Sequence, residues 1–488
     1  MQGARRPPVK LALHPRAPQT LADQLFAAGV EFPCGGESAC GGCKVRVLEG
    51  EVPVTAGMRE ALGEQEIRQG WRLACCALSA GSVVVEVEQW SPRVLTDEAP
   101  VAPLEPIEAR AGRGAAIDLG TTTLVVQVVD LASGEVLRVA TALNPQARYG
   151  ADVMSRLQYD LRHPGELGRV IRQALGQMLG GEPLCEVLVA GNTAMHHLFC
   201  GLPVEPLTHA PFVSPTLGGY RFAEADLAWP GPAEFLPCLG GFVGSDLLCG
   251  IVATGLDQQS RPHALFDIGT NGEVVVGSAQ GIVCASTAAG PAFEGGRIGA
   301  GMRAGTGAID SVHLRDGALA CHVIGGGAAR GVCGSGLVDA AACGVELGLI
   351  AANGRLSHPD KRFPLAGGVA LAQSDIRELQ LAKGAMAAGL RMLAGAGVET
   401  LSLAGAFGNY IRQPSARAVG LLPEDLPVEP VGNSALRGAR TLLLAPGTRQ
   451  ARLKEIAALT RHIELAADPN FQYLFAEMMS LARYRLRG

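Results

Sequence analysis

At 488 residues the chain is long enough for two to four domains around a substantial buried core. Its formal net charge of −5, with no basic stripe, argues against nucleic acid as a partner. No apolar run reaches the ~18 residues of a membrane span, and the opening "MQGARRPPVKLALHP" lacks a signal peptide's apolar core, so a cytoplasmic protein with no membrane partner is expected.

The first predicted unit covers residues 1–90. "VKLALH" alternates as a strand, and "TLADQLFAAGV" opens at a threonine N-cap with Leu21, Leu25 and Ala28 on one helical face. "KVRVLEG" and "GSVVVEVEQ" alternate again, so strands around one helix predict a small α+β domain of the β-grasp kind. Between them "FPCGGESACGGC" spaces Cys34, Cys40 and Cys43 as C-x5-C-x2-C, followed by Cys75 and Cys76 in "RLACCAL". A plant-type [2Fe–2S] ferredoxin uses C-x4-C-x2-C with a distant fourth cysteine, so this loop is one residue longer. Glycines at 35, 36, 41 and 42 let backbone amides approach cluster sulfurs and offset their negative charge. A zinc site would pair two C-x2-C hooks or recruit histidine, and neither pattern is present. Only one of the adjacent Cys75 and Cys76 can normally serve as the fourth ligand; "RLAC" resembles the ferredoxin segment ending in that ligand, which favours Cys75 and leaves Cys76 as the alternative. The other eight cysteines, scattered from Cys185 to Cys343, are expected to be buried free thiols.

Residues 91–112 follow as a linker with prolines at 92, 100, 103 and 106 and almost no periodicity. From 113 to 488 a weak internal repeat is visible. "AAIDLGTTTLVVQVVD" and "ALFDIGTNGEVVVGSA" each run a strand into Asp-x-Gly-Thr, a turn and a returning strand, with Asp118 and Asp267 149 residues apart. That spacing suits two α/β lobes, about 113–255 and 256–488, facing a cleft. In each hairpin a glycine permits a close turn, and successive N–H groups and threonine hydroxyls suit a phosphate. The first offers Gly120, Thr121 and Thr122; the second offers Gly269, Thr270, Asn271 and Gly272. Asp118 and Asp267 stand where a carboxylate can orient hydrated Mg²⁺ or an attacking water. In "ETLSLAGAFGNYI" Gly405 and Gly408 leave room for a ring or ribose against backbone. Asn192 ends another strand and is a further candidate for the cleft. The turns "GGRIGAGMRAGTG" and "IGGGAARGVCGSGLVDA" are consistent with the cleft wall or with ordinary loops, and His196 and His197 read as core or surface residues of a helix.

The two hairpins and the Ala-Gly-Ala turn resemble the acetate and sugar kinase/Hsp70/actin (ASKHA) superfamily. Joined to the [2Fe–2S] loop, and with "NPQARYGADVMSRL", "VAGNTAMHHL", "GVCGSGLVDA" and "IELAADPNFQYLF", the chain resembles the reductive activators of corrinoid proteins. The resemblance implies a β-grasp ferredoxin domain followed by a duplicated ASKHA ATPase domain. It also implies a [2Fe–2S] cluster, ATP and Mg²⁺ as cofactors, and a corrinoid protein of a methyltransferase system as partner. An upstream low-potential electron donor and a homodimer belong to the same expectation. Longer members carry a separate middle domain between tether and lobes; here the tether leads almost directly to "AAIDLG", so that domain is expected to be missing.

Energetics explain why such a protein would consume ATP. A ferredoxin-type cluster sits near ~−400 mV, and each ~59 mV of deficit against a one-electron acceptor costs tenfold. Reducing Co(II) to Co(I) across a ~120 mV gap would leave about one centre in a hundred reduced. ATP-driven switching between states that bind the two oxidation states differently offsets that deficit. Competing readings are an electron donor to another metalloenzyme, a redox-regulated small-molecule kinase, and a nucleotide-gated binding protein.

Overall fold

The computed structural model describes residues 9–14, 21–27, 43–79, 81–87, 107–150, 152–269, 272–287, 289–395, 397–408 and 410–486. In the first unit, β1 (Val9–Leu13), α1 (Leu21–Ala27), β2 (Lys44–Glu49), α2 (Ala56–Ala61), α3 (Glu64–Arg68), β3 (Trp71–Leu73) and β4 (Val83–Val87) form a four-stranded sheet, order β1-β4-β2-β3, with short helices. Strand alternation is realised in β4, whose Val83, Val85 and Val87 are buried beside Leu21 and Leu25 of α1 and Leu73. Thr20 and Ala28 of the predicted helix lie outside the described residues.

The next unit holds β5 (Arg113–Leu119), β6 (Thr123–Asp130), β7 (Val136–Leu143), α4 (Val153–Arg162), α5 (Glu166–Leu179), β8 (Glu186–Gly191), α6 (Thr193–Cys200), β9 (Tyr220–Phe222), α7 (Glu224–Leu227), β10 (Ala233–Phe235) and α8 (Ser245–Thr254). Its sheet order is β7-β6-β5-β8-β10-β9. The hairpin β5–β6–β7 is antiparallel, and β8 joins β5 in parallel.

The last unit repeats this plan. It holds β11 (His263–Ile268), β12 (Gly272–Ser278), β13 (Gly281–Thr287), β14 (Ala308–Arg315), β15 (Ala318–Val323), β16 (Gly331–Val332), α9 (Gly334–Glu346), β17 (Arg362–Pro364), β18 (Ala370–Ala372) and α10 (Gln373–Ala394). It continues through β19 (Leu401–Ala404), α11 (Gly405–Gly408), α12 (Gln413–Ala418), β20 (Val428–Gly432), α13 (Ser434–Leu444), α14 (Pro446–Leu459), β21 (Thr460–His462) and α15 (Pro469–Met478). The six-stranded sheet runs β20-β19-β11-β12-β13-β21, again with an antiparallel β11–β12–β13 hairpin and a parallel neighbour, β19, beside β11.

Three apolar clusters put these sheets into layers. Leu157, Ile171, Leu175 and Phe199 cover the outer face of the first sheet, and Val338, Ile376, Met386 and Leu390 cover that of the second. A third cluster fills the middle: Ala116, Val125 and Leu188 of the first sheet and Leu265, Val275 and Cys284 of the second meet around Leu248 and Val252 of α8 and Leu436, Ala439 and Leu442 of α13. Helices α8 and α13 therefore form the layer between the lobes.

Residues 107–112, the end of the expected linker, lie along this body. The Glu108 N–H donates to the Leu444 carbonyl (2.9 Å) and the Arg110 N–H to that of Leu131 (3.1 Å). Cys200, Cys238, Cys249, Cys284, Cys333 and Cys343 are buried, but Cys185 is exposed and Cys321 half-buried, which corrects the expectation for those two. Cys185 sits on the edge between residue 112 and β8, where only the Ala111 carbonyl accepts its thiol (3.7 Å). His196 and His197 are both buried in α6; His197 lies between the Pro203 carbonyl and Ser214, 2.7 Å from each, and both belong to the core. Among the described residues no helix is long and apolar enough to cross a membrane.

Candidate active site

The two Asp-x-Gly-Thr hairpins face one cleft of about 280 Å³. From the first come Asp118, Gly120, Thr121 and Thr122; from the second come Asp267 and Gly269. The first turn is fixed from several sides. Gly120 N–H donates to the Thr123 carbonyl (3.0 Å), and the Asn144 amide donates to the Gly120 carbonyl (2.9 Å). Asn192, at the end of β8, donates to the Thr121 hydroxyl (2.9 Å) while its other amide atom caps α6 through the Met195 N–H (3.0 Å). Arg156 of α4 is fully buried and donates to the carbonyls of Thr121 (2.6 Å) and Gly150 (3.0 Å). Its guanidinium thus holds the hairpin from behind, leaving the outward N–H groups and hydroxyls toward the cleft. Burial lowers its pKa to about 10, opposed by the charge of Glu294.

Gly405 opens the third wall. Its φ of +87° suits glycine, and an added Cβ would come within 2.7 Å of Asp267 Oδ1 and 2.6 Å of the Ile268 carbonyl. This lets α11 lie directly against the second hairpin. Phe407 stacks on Phe293 (ring centroids 4.6 Å apart, planes 24° apart), and both rings line the cleft. Cys333, Gly334 and Ser335, at the start of α9, and Glu294 and Arg303 complete that side. Both glycine-rich turns of the sequence reading therefore reach the cleft. The Thr122 hydroxyl lies 3.3 Å from each carboxylate oxygen of Glu294, a contact from hairpin to opposite lobe.

Four half-buried acids line this cleft: Asp118, Asp246, Asp267 and Glu273. Desolvation raises Asp118 to about 6, against the opposing hydrogen bond from the Asn433 amide (2.8 Å). Desolvation, reinforced by the neighbouring acids, raises Asp246 and Asp267 to about 7 and Glu273 well above its usual range. Protons bound in the folded state are thus released on unfolding between about pH 4 and 7, so the contribution of these groups to stability falls as pH rises through that window. The melting temperature of nucleotide-free protein should decline from pH 5 to 7.5, and Asp246→Asn should flatten the decline. An unchanged slope in that variant would refute the assignment.

Not every expected residue lines the cleft. Gly272 is packed beneath it, where an added Cβ would strike Met386 and Thr287 (2.7 Å each), and Gly408 faces the side chain of Leu403. Both pack the wall of the cleft and do not line it. Thr270 and Asn271 lie outside the described residues. Asp246, Glu273, Glu294, Arg303, Arg156 and Asn433 were not singled out from sequence. A signal existed for Asp246, the single charged residue between Glu234 and Asp257.

At the cysteine site, Cys34 and Cys40 lie outside the described residues. Cys43 is buried just before β2, and its carbonyl accepts the Ala74 N–H (2.9 Å), bringing the loop's end beside the turn that carries Cys75 and Cys76. The Cys76 sulfur is engaged elsewhere: it accepts from the Thr55 hydroxyl (3.4 Å) and points to the Leu73 carbonyl (3.8 Å). Cys43 and Cys75, two of the four thiols expected to hold the cluster, thus sit on adjoining turns and are of the type an iron–sulfur cluster needs.

A family profile described as "2Fe-2S iron-sulfur cluster binding domain" matches residues 8–80, "RACo middle region" matches 113–259, and "C-terminal domain of RACo the ASKHA domain" matches 262–487. The corrinoid activation enzyme RamQ of Eubacterium limosum is 36% identical over 408 residues, covering 73% of this chain and 68% of that protein. The chain belongs to the family of reductive activators of corrinoid proteins. A further relative of this activator is the [Co(II) methylated amine-specific corrinoid protein] reductase of Methanosarcina barkeri, 26% identical over 415 residues, covering 74% of this chain and 76% of that one. A solved structure titled "Reductive activator for corrinoid,iron-sulfur protein" superposes with a TM-score of 0.67 at 26% identity, covering 95% of this chain and 96% of that one. The fold is therefore a ferredoxin-type domain followed by an ASKHA domain. One expectation is overturned: the activator does contain a segment matching the family's middle region, and that segment is the β5–β10 lobe itself. The region was missed because its hairpin reads as half of the duplicated cleft rather than as an insertion.

Proposed function

We propose that this protein is an ATP-hydrolysing iron–sulfur oxidoreductase that delivers one electron to Co(II) of a corrinoid protein, regenerating Co(I) for methyl transfer. The observation that carries this reading is a cysteine site built on a β-grasp sheet in the same chain as an acid-lined cleft between duplicated lobes. The boundaries that go with it are a cluster domain over 1–90, a linker over 91–112 and two lobes, 113–255 and 256–488.

In this reading the [2Fe–2S] cluster is held by Cys34, Cys40, Cys43 and Cys75 and supplies the electron, which an upstream low-potential donor replaces. Gly120, Thr121 and Thr122 of the first hairpin and Gly269 of the second bind the ATP phosphates, and the repeated motif assigns the same role to Thr270 and Asn271. Gly405 and the Phe293–Phe407 pair take the adenosine. Among the described residues no three acidic, histidine or cysteine side chains are arranged to enclose a metal directly. Mg²⁺ characteristically keeps several waters and borrows phosphate oxygens, and Asp118, Asp246, Asp267 and Glu273 are the residues that would hold it, supplying charge to offset the cation beside ATP. Asp118 and Asp267 orient the attacking water. A homodimer and a cytoplasmic location complete the proposal.

Anaerobic mixing of the reduced protein with a Co(II) corrinoid protein, with and without ATP–Mg²⁺, tests it. ATP-dependent growth of the Co(I) absorption band is expected, and none with any cognate methyltransferase subunit would defeat the reading. Arg156→Gln removes a charged hydrogen bond to the phosphate hairpin and should raise the KM for ATP about tenfold, with kcat less affected. Arg156→Lys should recover only part of this, since one ammonium cannot serve both carbonyls with the fixed fork of a guanidinium.

A further inference from the structure

Helix α13 starts in the nucleotide cleft and ends at the root of the tether. At its first turn Asn433 uses both ends of one amide: Oδ1 accepts the Leu436 N–H (2.9 Å) as the helix cap, and Nδ2 donates to Asp118 Oδ2 (2.8 Å). At its last turn the Leu444 carbonyl accepts the Glu108 N–H and the Leu443 carbonyl accepts Arg110 Nη2, both at 2.9 Å. Arg110 also pairs with Glu186 at the start of β8 (2.9 Å), and the Glu108 carboxylate accepts the Gly447 N–H of α14 (2.9 Å). Ile107 packs into the middle apolar layer.

Between these ends the helix is held as a rod. Leu436, Ala439, Leu442 and Leu443 are fully buried, and an added Cβ on Gly438 would lie 1.9 Å from the Cys249 carbonyl of α8. Eleven helical residues span about 16 Å, too short to absorb a displacement by bending. A shift of Asp118 against Asn433 therefore reaches the carbonyls of Leu443 and Leu444.

We propose that Asn433 is a positioning residue and that α13 transmits the state of the nucleotide cleft to residues 107–112, the root of the tether carrying the cluster domain. This rests on the reading of the cleft as an ATP site, and adds the route by which ATP governs where the electron donor is held.

Hydrogen exchange on the full cluster-loaded chain, with and without Mg²⁺ and a non-hydrolysable ATP analogue, tests the proposal, with calorimetry on the same samples to verify binding. The amides of Glu108 and Arg110 should change exchange rate about 5-fold or more when the analogue binds. Asn433→Ser keeps a capping oxygen but lacks the donor to Asp118, and should lose that response at saturating analogue. Arg110→Ala should bind the analogue and hydrolyse ATP as the parent does, yet show a loss of about 5-fold or more in ATP-driven Co(I) formation. Unchanged exchange at 108 and 110 with the analogue bound would overturn the proposal alone, as would a full response in Asn433→Ser or parental Co(I) formation in Arg110→Ala. Absence of analogue binding would overturn it together with the ATP-site reading.

Discussion

Replacing Asp118 by alanine is expected to slow ATP-driven Co(I) formation by about 10²–10³-fold, the scale on which loss of one preorganised electrostatic group acts. The visible spectrum of the cluster should be retained. Asp118 ends β5 inside the cleft, and the Asn433 amide fixes its carboxylate. It is one of four half-buried acids of the cleft, and desolvation lifts it to about 6 while the Asn433 amide opposes that rise by favouring its charged form. A hydrated divalent cation beside ATP needs that charge. Asp118→Asn preserves shape and removes charge, and should lose nearly as much rate as alanine if charge is what matters. Stopped-flow absorbance under anaerobic conditions reads both variants. Parental rates in either would remove Asp118 from the mechanism.

The second large effect separates adjacent cysteines. Cys43→Ser and Cys75→Ser should abolish the iron chromophore and lower electron transfer to background, with nucleotide binding retained. Cys76→Ser should keep both the chromophore and transfer. The distinction rests on the resemblance of "RLAC" to the ferredoxin segment that ends in its fourth ligand; the Cys76 thiol lies between Thr55 and the Leu73 carbonyl. Cys75 precedes it in the same tight turn, tied to Cys43 through the Ala74 N–H. Iron analysis and the absorption spectrum after reconstitution decide. Loss of the chromophore in Cys76→Ser, with retention in Cys75→Ser, would reverse the ligand assignment.

What was legible in the sequence was local. Each hairpin writes its strand, turn and acid in consecutive residues, so Asp118, Gly120, Asp267 and Gly269 could be read directly and the structure brings them to one cleft. Strand and helix patterns in the flanking segments were equally explicit, because burial of one face leaves a period in the residues. The remainder of the site arrives from afar. Asn433 stands 315 residues from the acid it touches, and nothing in its own segment names that partner. Arg156 likewise sits 35 residues from the Thr121 carbonyl it serves, and its side chain turns inward to that carbonyl and to that of Gly150. Glu273 was visible as an acid opening an apolar strand, but nothing in its own segment says that three more acids stand opposite. Gly272 and Gly408 show the converse, since a glycine in a motif can serve the packing behind a wall as readily as the wall itself.

The seam between α8 and α13 has a mechanical consequence. At Gly438 one backbone lies directly on the other, and at Gly250 the neighbouring helix presents only the small side chain of Ser434. Around that contact Leu248 and Val252 of α8 interlock with Leu436, Ala439 and Leu442 of α13, so neither helix can slide without opening the packed layer. The pair is thus a welded joint at the centre of the body, and bulk introduced at Gly438 would prise it open and weaken both halves at once.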